Sequence, residues 1–134
     1  MTVHLTLADV VALHVYAMER YGIPPRPLRS EGALESAIQR ARMAEHYEGA
    51  GVVRQAAVLA SGISQAQAFM DGNKRTAFLA ADVFLERNGL VLVGDPLDFV
   101  QLLEAIATPG RDRAAAETDL ETWLRSGTAR IGDS

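Results

Sequence analysis

Apolar residues recur along most of the chain at intervals of three and four, which predicts one helix after another. The first such segment runs from Thr6 to Tyr21, and Thr6 and Asp9 have the spacing of a capping box. Gly22 ends the segment, and three prolines up to Pro27 impose a loop. The apolar stripe of this helix consists of Leu7, Val10, Val11, His14, Ala17, Met18 and Tyr21.

Five more helices follow from the same pattern. The second is predicted to begin at Ser30, whose hydroxyl can cap it, and to reach about Glu45, before a loop over 46–51. The third covers about 52–67, the fourth about 73–88, the fifth runs from Asp95-Pro96 to a point before Pro109, and the sixth covers about 113–126. Residues 90–93 are predicted to form a short extended link and residues 127–134 a frayed tail.

Two of these helices have distinctive faces. The stripe of the third, extended by four residues, places Gln67 on the same inward face. The fourth has Asp82 as its only charged residue over 77–85, and a helix that is apolar nearly all round is a buried one. We therefore predict an all-α fold: a compact single domain, 1–134, of about six helices around a buried central helix, the fourth. The stripe of the third helix consists of Val53, Ala56, Ala57, Ala60 and Ile63.

Composition narrows the classes of function. A chain of 134 residues fits one domain with a core of its own, and the absence of cysteine excludes disulfides, thiol chemistry and zinc–cysteine sites. The formal net charge of −4 argues against direct nucleic-acid binding. The beginning of the chain has no signal-peptide pattern, and no apolar run is long enough to cross a bilayer. We expect a cytoplasmic protein.

The segment from Gln67 to Arg75, Gln-Ala-Phe-Met-Asp-Gly-Asn-Lys-Arg, carries the candidate chemistry. It places Lys74 and Arg75 in the first turn of a helix, where the dipole and the free amides are already positive, so the combination suits a phosphate. Asp71 is placed to hold Mg²⁺ against that phosphate, and Gly72 lets the backbone approach it closely. The physics alone leaves a plain alternative open, a helix start capped by Asn73 with two solvated cations.

The same segment resembles the signature of the Fic/Doc family, His-x-Phe-x-(Asp/Glu)-Gly-Asn-(Gly/Lys)-Arg. Residues 12–22, 28–37 and 76–89 are also similar to Doc-type toxins, so the resemblance covers most of the chain in the order of the family. The positions that match the signature are Phe69, Asp71, Gly72, Asn73, Lys74 and Arg75.

The resemblance implies a compact helical bundle that binds ATP at this loop with Mg²⁺. It implies that Asp71 positions the metal, that Asn73 and Arg75 hold phosphate oxygens, and that Phe69 fixes the loop. Lys74 is typical of the Doc branch, which phosphorylates a protein hydroxyl, with elongation factor Tu as the family target. The alternative reaction within the family is nucleotidyl (AMP) transfer. The resemblance also implies a small Phd-like antitoxin as partner, whose helical tail lies across the toxin.

The chain departs from the signature at Gln67, where the family has a catalytic histidine. Glutamine has no titratable group and cannot accept the proton of an attacking hydroxyl. Three interpretations remain open: an inactivating change that was introduced or selected, a natural pseudoenzyme that binds nucleotide or antitoxin without turnover, or a substitute base. As substitutes, His14 fits a core position, His46 a solvated loop and His4 the region near the start of the chain.

Overall fold

The computed structural model describes residues 1–48, 51–106, 110 and 112–132. Within them the chain forms six α-helices and one short two-stranded sheet, which confirms the all-α class and the number of helices. In chain order the elements are α1 (Leu7–Arg20), α2 (Glu31–Glu48), α3 (Val52–Ala66), α4 (Asn73–Arg87), β1 (Leu90–Leu92), α5 (Pro96–Ile106), α6 (Arg113–Gly127) and β2 (Thr128–Arg130).

Helix α1 begins with the predicted capping box. The Thr6 hydroxyl accepts a hydrogen bond from the backbone N–H of Asp9 at 3.1 Å, and the Asp9 carboxylate accepts one from the backbone N–H of Thr6 at 2.9 Å. Two of the four N–H groups that a helix start leaves unpaired are thereby satisfied. The buried face of the helix is made by Val10, His14, Ala17 and Met18, as the stripe predicts.

The central helix is α3, not the fourth helix as predicted. Ten consecutive residues, 55–64, are buried in α3, which packs against α2, α4, α5 and α6. Its alanines, serines and glycine let neighbours approach from every side; a Cβ at Gly62 would lie 3.2 Å from the Cβ of Ala37 in α2. Helix α4 is buried on one side only and exposes Arg75, Glu86 and Arg87. The uncharged run within α4 was a poorer guide to burial than the small side chains of α3.

A buried carboxylate connects α6 to this centre. Glu117 is 1 % exposed, and one of its oxygens lies 2.6 Å from Nη2 of Arg40 on α2. Nη2 of Arg54 on α3 lies 3.6 Å from the other oxygen. A buried carboxylate is costly unless it is paired, so these arginines allow α6 to pack closely on α3 with Glu117 in the buried contact.

Two expectations about local structure were wrong. Helix α2 continues to Glu48, so 46–48 are helical where a loop was predicted, while 49 and 50 lie outside the described residues. The tail is not frayed over 128–130, because β2 pairs antiparallel with β1, with Val91 opposite Ala129. Residues 131–132 follow as a turn, and the N–H of Ile131 donates to the carbonyl of Gly89 at 2.9 Å. A pairing between segments nearly forty residues apart leaves no mark on local periodicity.

None of the described helices combines the length and the apolar character needed to cross a bilayer.

The sheet yields a test of the fold. Ending the chain after Gly127 removes β2 and the hydrogen bond from the Thr128 hydroxyl to the carbonyl of Leu124. We expect the free energy of unfolding in urea to fall by about 1–3 kcal/mol, since each net hydrogen bond contributes on the order of 1 kcal/mol. Ending the chain after Gly132 keeps β2 and serves as the control. Equal stability of the two truncated proteins would show that 128–132 contribute nothing to the fold.

Candidate functional site

The signature segment forms the connection between α3 and α4. Helix α3 ends at Ala66, and Gln67 adopts a left-handed backbone conformation with φ 51° and ψ 37°. Gly72 adopts a second left-handed conformation, with φ 78°, and is the N-cap of α4. We refer to residues 67–72 as the motif loop. Its two left-handed positions turn the chain so that α4 packs alongside the helix that precedes it.

The side-chain amide of Asn73 closes the motif loop. Its oxygen accepts a hydrogen bond from the backbone N–H of Phe69 at 3.1 Å, and its nitrogen donates to the backbone carbonyl of Phe69 at 2.9 Å. Both Asn73 and the Phe69 side chain are buried. The sequence alternative in which Asn73 caps the helix is therefore wrong, because Gly72 occupies the cap and the Asn73 side chain points back into the loop.

Gly72 leaves the start of α4 without a side-chain cap. The first N–H of α4 that bonds within the helix is that of Thr76, which donates to the carbonyl of Gly72 at 2.9 Å. A Cβ at position 72 would also lie 2.3 Å from Cε of Met18, so α1 is in close contact with the loop at this point. The N-terminus of α4 thus presents backbone amides and the positive end of the helix dipole with no carboxylate of its own first turn to offset them.

Helix α1 contacts the motif loop through His14. The imidazole is 3 % exposed, its Nε2 lies 2.9 Å from the backbone carbonyl oxygen of Asp71, and its ring stacks on that of Phe69 with centroids 3.9 Å apart. The sequence pattern placed His14 in the core, where it is found. The contact of His14 with the motif loop was not predicted. The similarity of residues 12–22 to Doc-type toxins was the one indication that His14 has a role near the site.

The loop after α1 is fastened to the other end of the motif loop. The Arg29 guanidinium donates from Nε at 3.1 Å and from Nη2 at 2.8 Å to the backbone carbonyl of Gln67. The backbone N–H groups of Arg29 and Ser30 both donate to the carbonyl of Ala68, at 2.7 and 3.2 Å. Sequence reasoning gave Arg29 no role. Its side chain satisfies a carbonyl at the end of α3 that has no helical partner.

A cleft of about 500 Å³ opens beside the motif loop and the start of α4. The candidate residues 71–75 line it, together with Gln67, so the structure brings together all the site residues that the sequence singled out. The cleft carries two cations, Lys74 and Arg75, against one carboxylate, Asp71. Its full lining is Met18, Ile23, Gln67, Met70, Asp71, Gly72, Asn73, Lys74 and Arg75.

Arg75 lines both this cleft and a neighbouring groove. Its guanidinium carbon lies 3.6 Å above the centroid of the Tyr21 ring, a cation–π contact that holds the planar fork in place. A groove of about 340 Å³ lies on the far side of Arg75, between α1, α4 and α5. The groove is lined by Tyr16, Ala17, Arg20, Tyr21, Arg75, Phe78, Leu79, Pro96 and Val100.

Gln67 does not lie on an inward helical face, which corrects the prediction from the stripe. The left-handed conformation at Gln67 ends the periodicity of α3, and the residue is exposed at the edge of the cleft. Its side-chain nitrogen donates to the backbone carbonyl of Ser64 at 2.9 Å, and its side-chain oxygen lies 3.5 Å from the amide nitrogen of Asn73. The Gln67 side chain therefore helps to cap α3 from the place where the signature has histidine.

The other histidines are poorly placed to act as a substitute base. Nε2 of His14 is engaged by a carbonyl, as described above. His46 lies near the end of α2, roughly 22 Å along the helix from its start beside the motif loop, at 1.5 Å per residue. His4 belongs to that far end as well, since its Nε2 lies 3.0 Å from the Glu45 carboxylate.

The described residues contain no cluster of three or more histidine or acidic side chains that would enclose a metal ion by themselves. Asp71 is the carboxylate of the cleft. Magnesium commonly takes one or two protein carboxylates and completes its shell with phosphate oxygens and water, so a single aspartate beside a phosphate site fits its chemistry.

The sequence pattern of the Fic/DOC family matches residues 4–85, which span α1 to α4 and include the motif loop. The match covers more than half of the chain, and the chain belongs to the Fic/DOC family. Among curated proteins it is similar to the protein named "Protein kinase doc" of Escherichia phage P1. The two are 31 % identical over 94 residues, which cover 69 % of this chain and 74 % of that protein.

The closure of the motif loop by Asn73 gives a second testable prediction. Asn73→Ala leaves the N–H and the carbonyl of Phe69 buried without partners, and we expect a loss of about 2–4 kcal/mol in the free energy of unfolding. Glu86→Ala, at an exposed position of the same helix, is the control and should change the free energy of unfolding by less than about 0.5 kcal/mol. Urea unfolding of the three proteins measures both effects. An alanine variant as stable as the unmodified protein would contradict the role assigned to Asn73.

Proposed function

We propose that this protein is a Doc-like toxin, a phosphotransferase that moves phosphate from ATP to a hydroxyl of a protein target. The observation that supports it best is the cleft in which Lys74, Arg75 and the start of α4 meet one carboxylate, Asp71. The relative named a protein kinase supports phosphoryl transfer over other reactions. Elongation factor Tu is the target that the Doc-type resemblance implies, and inhibited translation would be its result.

The charges and the size of the cleft fit a nucleoside triphosphate. A volume of about 500 Å³ falls within the usual range of small-molecule sites, roughly 300–1,000 Å³. Two cations and a helix N-terminus favour a polyanion, and Gly72 has no side chain to compete for the helix amides. Bound ATP supplies the phosphoryl group, and Mg²⁺ offsets part of the charge on its phosphates.

Each side chain of the cleft then has a role in the proposal. Arg75 donates from its planar fork to phosphate oxygens, and Lys74 places a point charge beside them. Asp71 holds the metal. The Asn73 side chain is occupied by Phe69, so its contribution to phosphate binding comes from its backbone N–H and from the loop shape that it maintains.

Gln67 limits turnover in this proposal. Placed at the edge of the cleft, it can donate a hydrogen bond to an incoming hydroxyl but cannot take its proton. Losing a general base typically costs about 10²–10⁴-fold in rate. Phosphoryl transfer depends mainly on positioning and on neutralising charge, so we expect a weakened enzyme that still binds nucleotide. The alternatives are a pseudoenzyme without turnover and a nucleotidyl transferase built on the same loop.

The groove beside Arg75 is the surface that we propose for a small Phd-like antitoxin. Its lining combines the aromatic side chains Tyr16, Tyr21 and Phe78 with the cations Arg20 and Arg75 at its rim. An amphipathic helix with acidic residues would match both features, with its apolar face in the groove and its carboxylates at the arginines. Because Arg75 lines both the groove and the cleft, such a partner would lie next to the bound nucleotide.

A third prediction concerns nucleotide binding. Calorimetry should detect ATP binding in the presence of Mg²⁺, and Arg75→Ala should weaken it by about 10-fold or more, because hydrogen bonds to charged groups contribute about 1.5–3 kcal/mol. Arg20→Ala is the control, since Arg20 lines the groove and not the cleft. Equal affinities of the unmodified protein and the Arg75→Ala variant would count against the phosphate site.

A fourth prediction concerns Gln67→His. Histidine tolerates the left-handed conformation of this position better than most residues, so the variant should fold. We expect bacterial cells to tolerate the unmodified protein, and the variant to arrest growth unless the antitoxin is co-expressed. In vitro, the transfer of labelled γ-phosphate to elongation factor Tu should rise by about 10²–10⁴-fold. Gln67→His combined with Lys74→Ala should lose this gain.

The label identifies the reaction. Transfer of an α-phosphate label instead of the γ-phosphate would favour the nucleotidyl transferase. A folded Gln67→His variant that binds ATP but transfers neither label would favour the pseudoenzyme. Strong toxicity of the unmodified protein would show that Gln67 does not limit its activity.

A further inference from the structure

His14 makes a polar contact that an apolar residue at the same core position would lack. The imidazole is almost fully buried, and its Nε2 lies 2.9 Å from the backbone carbonyl oxygen of Asp71, 57 residues away in the chain. A carbonyl oxygen only accepts hydrogen bonds, so Nε2 carries the proton in this contact. The contact reaches the one residue of the cleft that carries a carboxylate.

The hydrogen bond from His14 restrains the whole peptide unit between Asp71 and Gly72, because a peptide unit is planar. When the carbonyl of Asp71 is directed at α1, the plane of the peptide between Asp71 and Gly72 is set, and the Gly72 N–H points to the opposite side. The Asp71 Cα lies in the same plane, so the hydrogen bond also restrains the position from which the Asp71 side chain leaves the backbone. His14 thus controls the last peptide before the N-terminus of α4.

The ring of His14 contributes separately. It stacks on Phe69 with 10° between the ring planes, and Phe69 is itself held by the Asn73 amide. One side chain therefore touches the motif loop at two points, by stacking at residue 69 and by a hydrogen bond at residue 71. Stacking supports the position of the loop, while the hydrogen bond sets the orientation of one peptide.

We propose that His14 is a positioning residue of the phosphate cleft, which holds the backbone of Asp71 in the place where its carboxylate can reach Mg²⁺. The inference rests on the proposed function, since it assigns a metal role to Asp71. His14 acts through the backbone and does not touch the ligand. Its removal should therefore affect metal-dependent nucleotide binding more than it affects the charge attraction of Lys74 and Arg75.

Two substitutions separate the two contacts. His14→Phe keeps an aromatic ring for Phe69 and removes the donor, whereas His14→Gln keeps an N–H donor and removes the stacking. His4→Phe is the matched control, since His4 pairs with Glu45 away from the cleft. ATP affinity is measured by calorimetry in Mg²⁺ and again in EDTA, and the melting temperature is recorded for every variant.

We expect His14→Phe to weaken ATP binding in Mg²⁺ by about 3–10-fold, the range of one net hydrogen bond, and by less than about 2-fold in EDTA. His14→Gln should keep most of the metal-dependent affinity even if its melting temperature falls. When Asp71 is already changed to Asn, adding His14→Phe should have little further effect.

Three results would overturn the inference and leave the proposed function standing: unchanged affinity of His14→Phe in Mg²⁺, an equal loss in Mg²⁺ and EDTA, or losses in both variants that follow only their melting temperatures. Absence of ATP binding by the unmodified protein would overturn the proposed function and the inference together. If His14→Phe does not fold, His14→Gln decides, because retained metal-dependent binding supports the role of the donor and its loss contradicts it.

Discussion

The two hydrogen bonds between the Asn73 amide and the backbone of Phe69 are the constraint on which the site depends. The chain has to leave α3, turn, and start α4 within six residues, and part of that turn is buried. A buried backbone group without a partner costs about as much as a lost hydrogen bond, so an irregular buried segment needs side chains to pair with it. Asn73 supplies a donor and an acceptor at once, whereas an ionised carboxylate would supply acceptors only.

The other contacts of the motif loop extend the same principle. His14 pairs with the carbonyl of Asp71, Arg29 with that of Gln67, and the backbone after α1 with that of Ala68. The backbone of the loop is thereby held from three sides, while the side chains of Asp71 and Arg75 remain exposed. Placing Lys74 and Arg75 at the positive end of a helix costs on the order of 0.3–1 kcal/mol each. The packing of the buried face of α4 against its neighbours offsets that cost.

Gln67 shows how binding and turnover separate in such a loop. The contacts that shape the loop come from other residues and from the backbone of Gln67, so none of those contacts requires a histidine side chain at this position. The Gln67 side chain bonds to Ser64, and the cleft keeps both cations. Under the proposed function, nucleotide binding therefore persists without the base. An active toxin and a protein that only binds nucleotide would then differ at one exposed side chain at the edge of the cleft.

The sequence by itself determined the helices, because helical periodicity and helix caps depend on residues three and four positions apart, as Thr6 and Asp9 show. It also predicted that Gln67 and residues 71–75 lie together, because they are neighbours in the chain, but not that Met18 and Ile23 line the same cleft. The tertiary structure decided which helix is central, how β1 pairs with β2, and which way Gln67 points. It alone brought His14 to Asp71. Each of these depends on contacts between distant segments or on a left-handed backbone turn, and neither leaves a repeating pattern in the local sequence.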